Sequence, residues 1–263
     1  MSTPDRGDRV STVAACQIAV ADLDVAGNRA VIADRIAGLP SEVDLAVFPE
    51  YALTGFVADN RLYEAALPRE APAIERLRDR AVEAELAVTF GFVEDAGDAH
   101  YNATAYVAPD GELTVYRKRH RWGTESEWLA AGSEPVVVDT PVGRAGLVTC
   151  YDLNFVARSA ELTRPAVELL LVGGAWPAAY TENWRLLCRA RALDGVRWVV
   201  AAGRTGEGGS GADSRLYGGR SLVVRPDGGV HRELDRGERD LVTELDPEIF
   251  ADQRALVGVF DEA

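Results

Sequence analysis

A chain of 263 residues, 47% hydrophobic and 27% charged, is long enough for one large core and too apolar to stay disordered. No apolar run approaches the ~20 residues of a membrane span, and the start, MSTPDRGDRV, carries acidic residues where a secretory signal would carry basic ones. A net charge of −14 without a basic patch argues against nucleic acid as a partner, and three cysteines, an odd number, argue against a disulfide framework. We therefore expect a cytoplasmic protein, one domain over 1–263 with its core at about 10–250.

Val10–Val20 predicts a buried strand and Ala26–Ala37 a helix that stops at Gly38 and Pro40. Asp44–Phe48 predicts a short strand ended by Pro49. Ala71–Leu86 has the spacing of an amphipathic helix, and Ala87–Val93 follows as a strand. Tyr101–Ala108 and Glu112–Arg117 flank the turn Pro109-Asp110-Gly111 and predict a hairpin. A second hairpin is expected from Pro135–Asp139 and Arg144–Thr149. Further on, Ala157–Leu162 suggests a helix, Val167–Val172 a strand, Thr181–Leu193 a helix and Arg197–Ala202 a strand. Gly206–Gly211 reads as an exposed loop. Gly219–Arg225 and Val230–Glu233 read as a third hairpin, Asp240–Leu245 as a last strand, and the tail as a short helix. Strands alternating with helices, with hairpins between, predict an α/β fold with mixed sheets.

Lys118 is the only lysine among 28 basic residues. Arginine stays protonated and planar, whereas lysine is a compact charge whose pKa can be tuned, so this position is a candidate for chemistry. Three segments end an apolar strand and then place a polar side chain: DLAVFPEYALTGF with Glu50, YRKRHRWGTESEWLAAG with Lys118, and RAGLVTCYDLNF with Cys150. Carboxyl ends of strands are where α/β folds place their sites. A thiol needs ionising, a neighbouring ammonium lowers its pKa, and a carboxylate can take its proton. Glu125 lies seven residues beyond Lys118, close enough for the loop to bring the two charges together. Cys16, inside a strand, and Cys188, inside a helix, read as core cysteines. Among the histidines, His120 alone is a rival partner for Cys150; His100 and His231 read as surface residues. No paired spacing of the CxxC, HxxxH or HExxH kind suggests zinc.

LAVFPEYALTG, YRKRH and GLVTCYD, in this order, resemble the nitrilase superfamily of carbon–nitrogen hydrolases. NATAYVAPDGEL, the WGTE and Gly132 spacing, LLLVGGAWP and GGRSLVVRPDG extend the resemblance from about Val13 to Asp246. The resemblance implies a four-layer αββα sandwich with two mixed sheets, pairing into a homodimer or larger assembly, and no metal or organic cofactor. It implies Cys150 as nucleophile, Glu50 as general base, Lys118 as oxyanion stabiliser, and Glu125 positioning Lys118 and substrate. Tyr51, Trp122, Tyr151 and Trp176 flank these segments as candidate pocket residues, with core packing the alternative for each; Trp176 is the strongest of the four. Trp184 and Trp198 read as core.

Cys150-Tyr151-Asp152 and Tyr116-Arg117-Lys118 resemble the amidase side of the superfamily, so a small primary amide is the expected substrate. An N-carbamoyl compound or a nitrile is the alternative, and a catalytically silent binding protein on the same fold is the alternative of another class. The chain departs from the family pattern at Val156-Ala157, at Ala160, at Asp194-Gly195 and at Gly203, with Arg158 a candidate for the missing charge or for a surface ion pair.

Overall fold

The computed structural model describes residues 10–163, 167–209 and 214–258. The chain opens with β1 (Ser11–Gln17), α1 (Val25–Gly38), β2 (Val43–Val47), the single turn α2 (Leu62–Ala65) and α3 (Pro72–Glu83). Then come β3 (Ala87–Asp95), β4 (His100–Val107), β5 (Leu113–Arg117), a short α4 (Glu125–Trp128), β6 (Val137–Thr140) and β7 (Gly143–Thr149). A 3-10 turn at Cys150–Asn154 leads to α5 (Val156–Thr163), β8 (Leu169–Gly174), α6 (Thr181–Gly195) and β9 (Trp198–Gly203). A ribbon of β10 (Thr205–Gly208) and β11 (Arg215–Gly218) precedes β12 (Leu222–Val224), β13 (Val230–Glu233), β14 (Arg239–Leu245) and α7 (Pro247–Val257).

Two six-stranded mixed sheets result, ordered β14-β1-β2-β3-β4-β5 and β13-β12-β9-β8-β7-β6. The centre of each is parallel (β1-β2-β3 and β7-β8-β9), and the hairpins expected from the sequence close the rims. The pleat sends successive side chains to opposite faces. Val13 and Ala15 of β1 therefore meet Leu169, Leu171 and Val200 between the sheets. Ala14 and Cys16 instead meet Ile32 and Ile36 of α1 and Ile74 and Leu77 of α3. On the far side, Leu170 and Val172 of β8 pack with Trp184, Cys188 and Ala192 of α6 and Leu162 of α5. The order is helices, sheet, sheet, helices: the four-layer sandwich.

Two expectations need correction. Gly206–Gly208 is not loop: Gly206 pairs with Tyr217 and Gly208 with Arg215 in the ribbon, whose ladder supplies the backbone partners that sequence composition cannot reveal; Ser210 and Gly211 lie outside the described residues. Within Gly219–Arg225 only Leu222–Val224 is strand, because Arg220 takes φ 58° and turns the chain. The loop that carries Lys118 and Glu125 also contains a helical turn, α4 (Glu125–Trp128). Among the described residues, no helix is long and apolar enough to cross a membrane.

Candidate active site

Glu50 follows β2 in a turn wedged between the two sheets. A Cβ on Gly91 of β3 would lie 2.4 Å from the Tyr51 nitrogen, and one on Gly173 of β8 would lie 2.9 Å from the Glu50 nitrogen. Side chains at either position would push the turn away. Tyr51 (φ 59°) and Cys150 (φ 48°) both sit in the left-handed region, where a non-glycine residue costs ~1–3 kcal/mol. Cys150 stands where β7 ends. Thr149 and Asp152 cap the turn reciprocally, and the Thr149 hydroxyl is 2.9 Å from that of Thr104 on β4.

Lys118 leaves the end of β5 and is 1% exposed. Its ammonium donates to Glu50 Oε1 at 2.8 Å and to Glu125 Oε1 and Oε2 at 2.9 and 2.8 Å. Three protons thus meet three acceptors, which is what a buried charge requires. Asn102 Nδ2 donates to both carboxylates, at 2.8 Å to Glu50 and 3.0 Å to Glu125, and its backbone carbonyl accepts from the Lys118 N–H at 2.8 Å. The Tyr51 hydroxyl donates to Glu125 Oε1, and the Trp122 N–H donates to Oε2 at 2.6 Å. Glu50 and the backbone N–H of Ala175 act on the protonation of the Cys150 thiol, the carboxylate raising its pKa and the N–H lowering it.

Burial raises the Glu50 pKa, with Lys118 opposing and Glu125 adding to the rise. Burial would lower Lys118, but the carboxylates of Glu125 and Glu50 outweigh it and hold the ammonium well up. The Cys150 thiol is pushed well up by burial and then by the Glu50 charge, against Lys118 and the Ala175 N–H. Lys118 lowers the thiol pKa as the sequence suggests, but burial and the Glu50 charge outweigh it. The resting thiol keeps its proton next to a carboxylate able to take it.

Two cavities meet at Cys150, Trp122 and Ala175. One, of about 150 Å³, is lined by Glu50, Lys118, Glu125, Tyr51, Arg215 and Tyr217, among others. The other, of about 220 Å³, is lined by Tyr151, Trp176, Tyr180, Asn154 and Asn183 beside the shared residues. The structure thus brings Glu50, Lys118, Glu125 and Cys150 together, with Tyr51, Trp122, Tyr151 and Trp176 on the cavity walls. Trp184 and Trp198 are core, at 0% and 3% exposure. His120 is occupied elsewhere: Nδ1 lies 2.9 Å from Asp152 Oδ1 and the ring stacks on Phe155. Among the described residues, no group of three or more His, Cys, Asp or Glu is arranged to hold a metal ion.

Sequence reasoning missed Asn102, Asp152, Arg215 and Tyr217. Asp152 accepts from the Tyr116 hydroxyl at 2.7 Å and the His120 N–H at 2.9 Å, tying the Cys150 turn to the Lys118 loop. Arg117 and Arg119, which flank Lys118, pair with Glu94 (2.6 Å) and Glu161 (2.6 Å). Arg158 also pairs with Glu161, at 2.9 Å, rather than entering the site. Two of the departures, Gly195 and Gly203, sit where a side chain would clash. A Cβ on Gly195 would lie 2.3 Å from the Arg197 guanidinium, and one on Gly203 would lie 2.1 Å from the Gly219 carbonyl.

The family described as Carbon-nitrogen hydrolase matches residues 12–251. An (R)-stereoselective amidase of a Pseudomonas species is 32% identical over 230 residues, 88% of this chain and 83% of that one. An omega-amidase of Yersinia enterocolitica is 30% identical over 208 residues, 78% of this chain and 77% of that one. The crystal structure of a CN-hydrolase superfamily protein from Xanthomonas campestris superposes with a TM-score of 0.89 at 27% identity, covering 97% of both chains.

Proposed function

This chain belongs to the carbon–nitrogen hydrolase family and is an amidase-type hydrolase; from that premise we propose that it converts small primary amides to a carboxylic acid and ammonia through a thioester on Cys150. The observation that carries this reading is the Lys118 ammonium held between Glu50 and Glu125 beside a thiol at a strained strand end.

Glu50 takes the thiol proton as sulfur attacks the amide carbon. A raised carboxylate pKa suits that transfer, since base strength then approaches what the thiol demands. The carbonyl oxygen becomes an oxyanion, stabilised by the Lys118 ammonium and the Tyr151 backbone N–H. Collapse breaks the C–N bond, and the proton held by Glu50 leaves with the nitrogen as ammonia. Water, deprotonated by Glu50, then cleaves the thioester to the acid and returns the thiol. Glu125 positions Lys118 through both carboxylate oxygens. No cofactor enters these steps. We read 1–263 as one catalytic domain, acting as a homodimer or larger assembly. We place it in the cytoplasm, in keeping with three unpaired cysteines.

The test is ammonia release from short amides together with the intact mass of the protein during turnover. We expect an acyl adduct on Cys150 and loss of both signals in Cys150→Ala. Turnover that survives Cys150→Ala would overturn the mechanism. Release from carbamoyl compounds alone would move the substrate class and keep the three residues.

A further inference from the structure

The two cavities differ in chemistry, and the position of the proton donor assigns them. Cys150 lines both cavities, but Glu50 lines only the smaller one. On the proposed mechanism the leaving nitrogen must come within hydrogen-bond reach of Glu50 to receive its proton. With the carbonyl carbon at the Cys150 sulfur, the nitrogen therefore points into the smaller, charged cavity. The acyl group, on the other side of that carbon, enters the larger one.

We propose that the 220 Å³ cavity is the acyl pocket and that it takes a neutral, ring-bearing acyl group in preference to a chain ending in a carboxylate. The proposal rests on the amidase reading above. Trp122, Tyr151, Trp176 and Tyr180 give the pocket aromatic walls, and Asn154 and Asn183 give it neutral amides. Among the described residues, no Lys, Arg, Asp or Glu lines it. A cavity of about 150 Å³ suffices for benzene, so a six-membered ring fits. Aromatic walls favour such a ring through offset or edge-to-face contacts.

A carboxylate entering the same pocket would lose its water and find no cation to replace it. The net charge of −14 adds a long-range penalty. Among the described residues, the arginine on these cavity walls is Arg215, in the smaller cavity, with its guanidinium 5.3 Å from the Trp122 ring centroid.

The experiment measures kcat/KM for propionamide, phenylacetamide and succinamate, in the wild type and in two variants at the pocket rim. Tyr180 is 50% exposed, so Tyr180→Ala leaves the core untouched; Asn183→Lys changes an exposed residue and brings a cation to the pocket. We expect wild type to prefer phenylacetamide to succinamate by at least about tenfold. Tyr180→Ala should cost phenylacetamide about three- to tenfold and propionamide less. Asn183→Lys should narrow the gap by raising succinamate. Succinamate equal to or better than phenylacetamide in the wild type, with propionamide also turned over, overturns the acyl-pocket proposal and leaves the amidase reading intact. Equal losses on all three amides in Tyr180→Ala overturn it as well. If none of the three is hydrolysed, the amidase reading itself falls, and this proposal falls with it.

Discussion

Two buried charge clusters sit at opposite ends of the parallel strands β7, β8 and β9. At the carboxyl end, Lys118 is gripped by Glu50 and Glu125 beside Cys150. At the other end Arg197, 0% exposed, donates to the Ser159 hydroxyl and the Arg191 carbonyl, while Asp194 pairs with Arg191 and accepts from Ser159. Both clusters hold buried charge and a potential nucleophile. They differ in access and in pairing. Cavities reach Cys150, whereas α5 and α6 close over Ser159, which is 4% exposed. Lys118 has an acceptor for every ammonium proton, whereas Arg197 Nη1 has none among the described residues, and burial lowers the Arg197 pKa to about 10. Buried charge alone does not mark a site; charge matched to a reachable nucleophile does.

The sharpest way to break this contrast is to delete each nucleophile. Cys150→Ala should lower kcat by up to about 10⁶-fold with Tm held, whereas Ser159→Ala should keep kcat/KM within about threefold and lower Tm. Equal losses of turnover would erase the distinction. Removing the cations comes next. Lys118→Met should lower kcat by about 10²–10³-fold and leave Glu50 and Glu125 facing each other uncompensated. The Glu50 pKa, raised by burial and no longer held down by Lys118, would then lie further above its unfolded value. The resulting instability is full above the folded pKa and gone below the unfolded range of ~4–4.5. Thermal melts from pH 4 to 8 should therefore show the variant approaching wild type as pH falls. Arg197→Met should lower Tm by roughly 3–8 °C at about 1–3 kcal/mol, because Asp194 is 36% exposed and water can take over part of its pairing. Its kcat/KM should stay within about threefold of wild type.

The contrast also separates what a sequence can tell from what it cannot. Glu50, Lys118 and Cys150 were legible because each ends a run of apolar residues with a group that has no place in a core, and because a single lysine stands among arginines. The family resemblance supplied their order, but nothing local announced Asn102, whose contact to Glu50 spans 52 residues and forms only when β4 lies beside β3. The two-faced pattern of β1 was also hidden. In VSTVAACQIAV both faces are buried, so no polar alternation betrays which side chains meet helices and which meet the other sheet. Arg215 and Tyr217 escaped for a different reason. Their ribbon is built from Gly206 and Gly208 paired across to them, and glycine-rich composition reads as loop until the partner strand is known.

The smallest expected effect is the most specific test of the catalytic cluster. Glu50 has to be ionised to accept the thiol proton, and burial together with the Glu125 charge raises its pKa. The acid limb of kcat/KM, which reports groups of the free enzyme, should therefore lie above the ordinary glutamate range. Glu125→Gln removes a like charge from Glu50 while leaving burial and Lys118 in place, so the limb should move to lower pH by less than about one unit, even as turnover falls. Arg197→Met, at the far end of the strands, should leave the limb where it is. A limb that stays fixed in Glu125→Gln would mean that Glu50 is not the group being titrated, and the base would have to be sought among the other groups facing Cys150. A limb that moves in both variants would mean that the two ends of the sheet are electrostatically coupled, and the separation drawn between the clusters would fail.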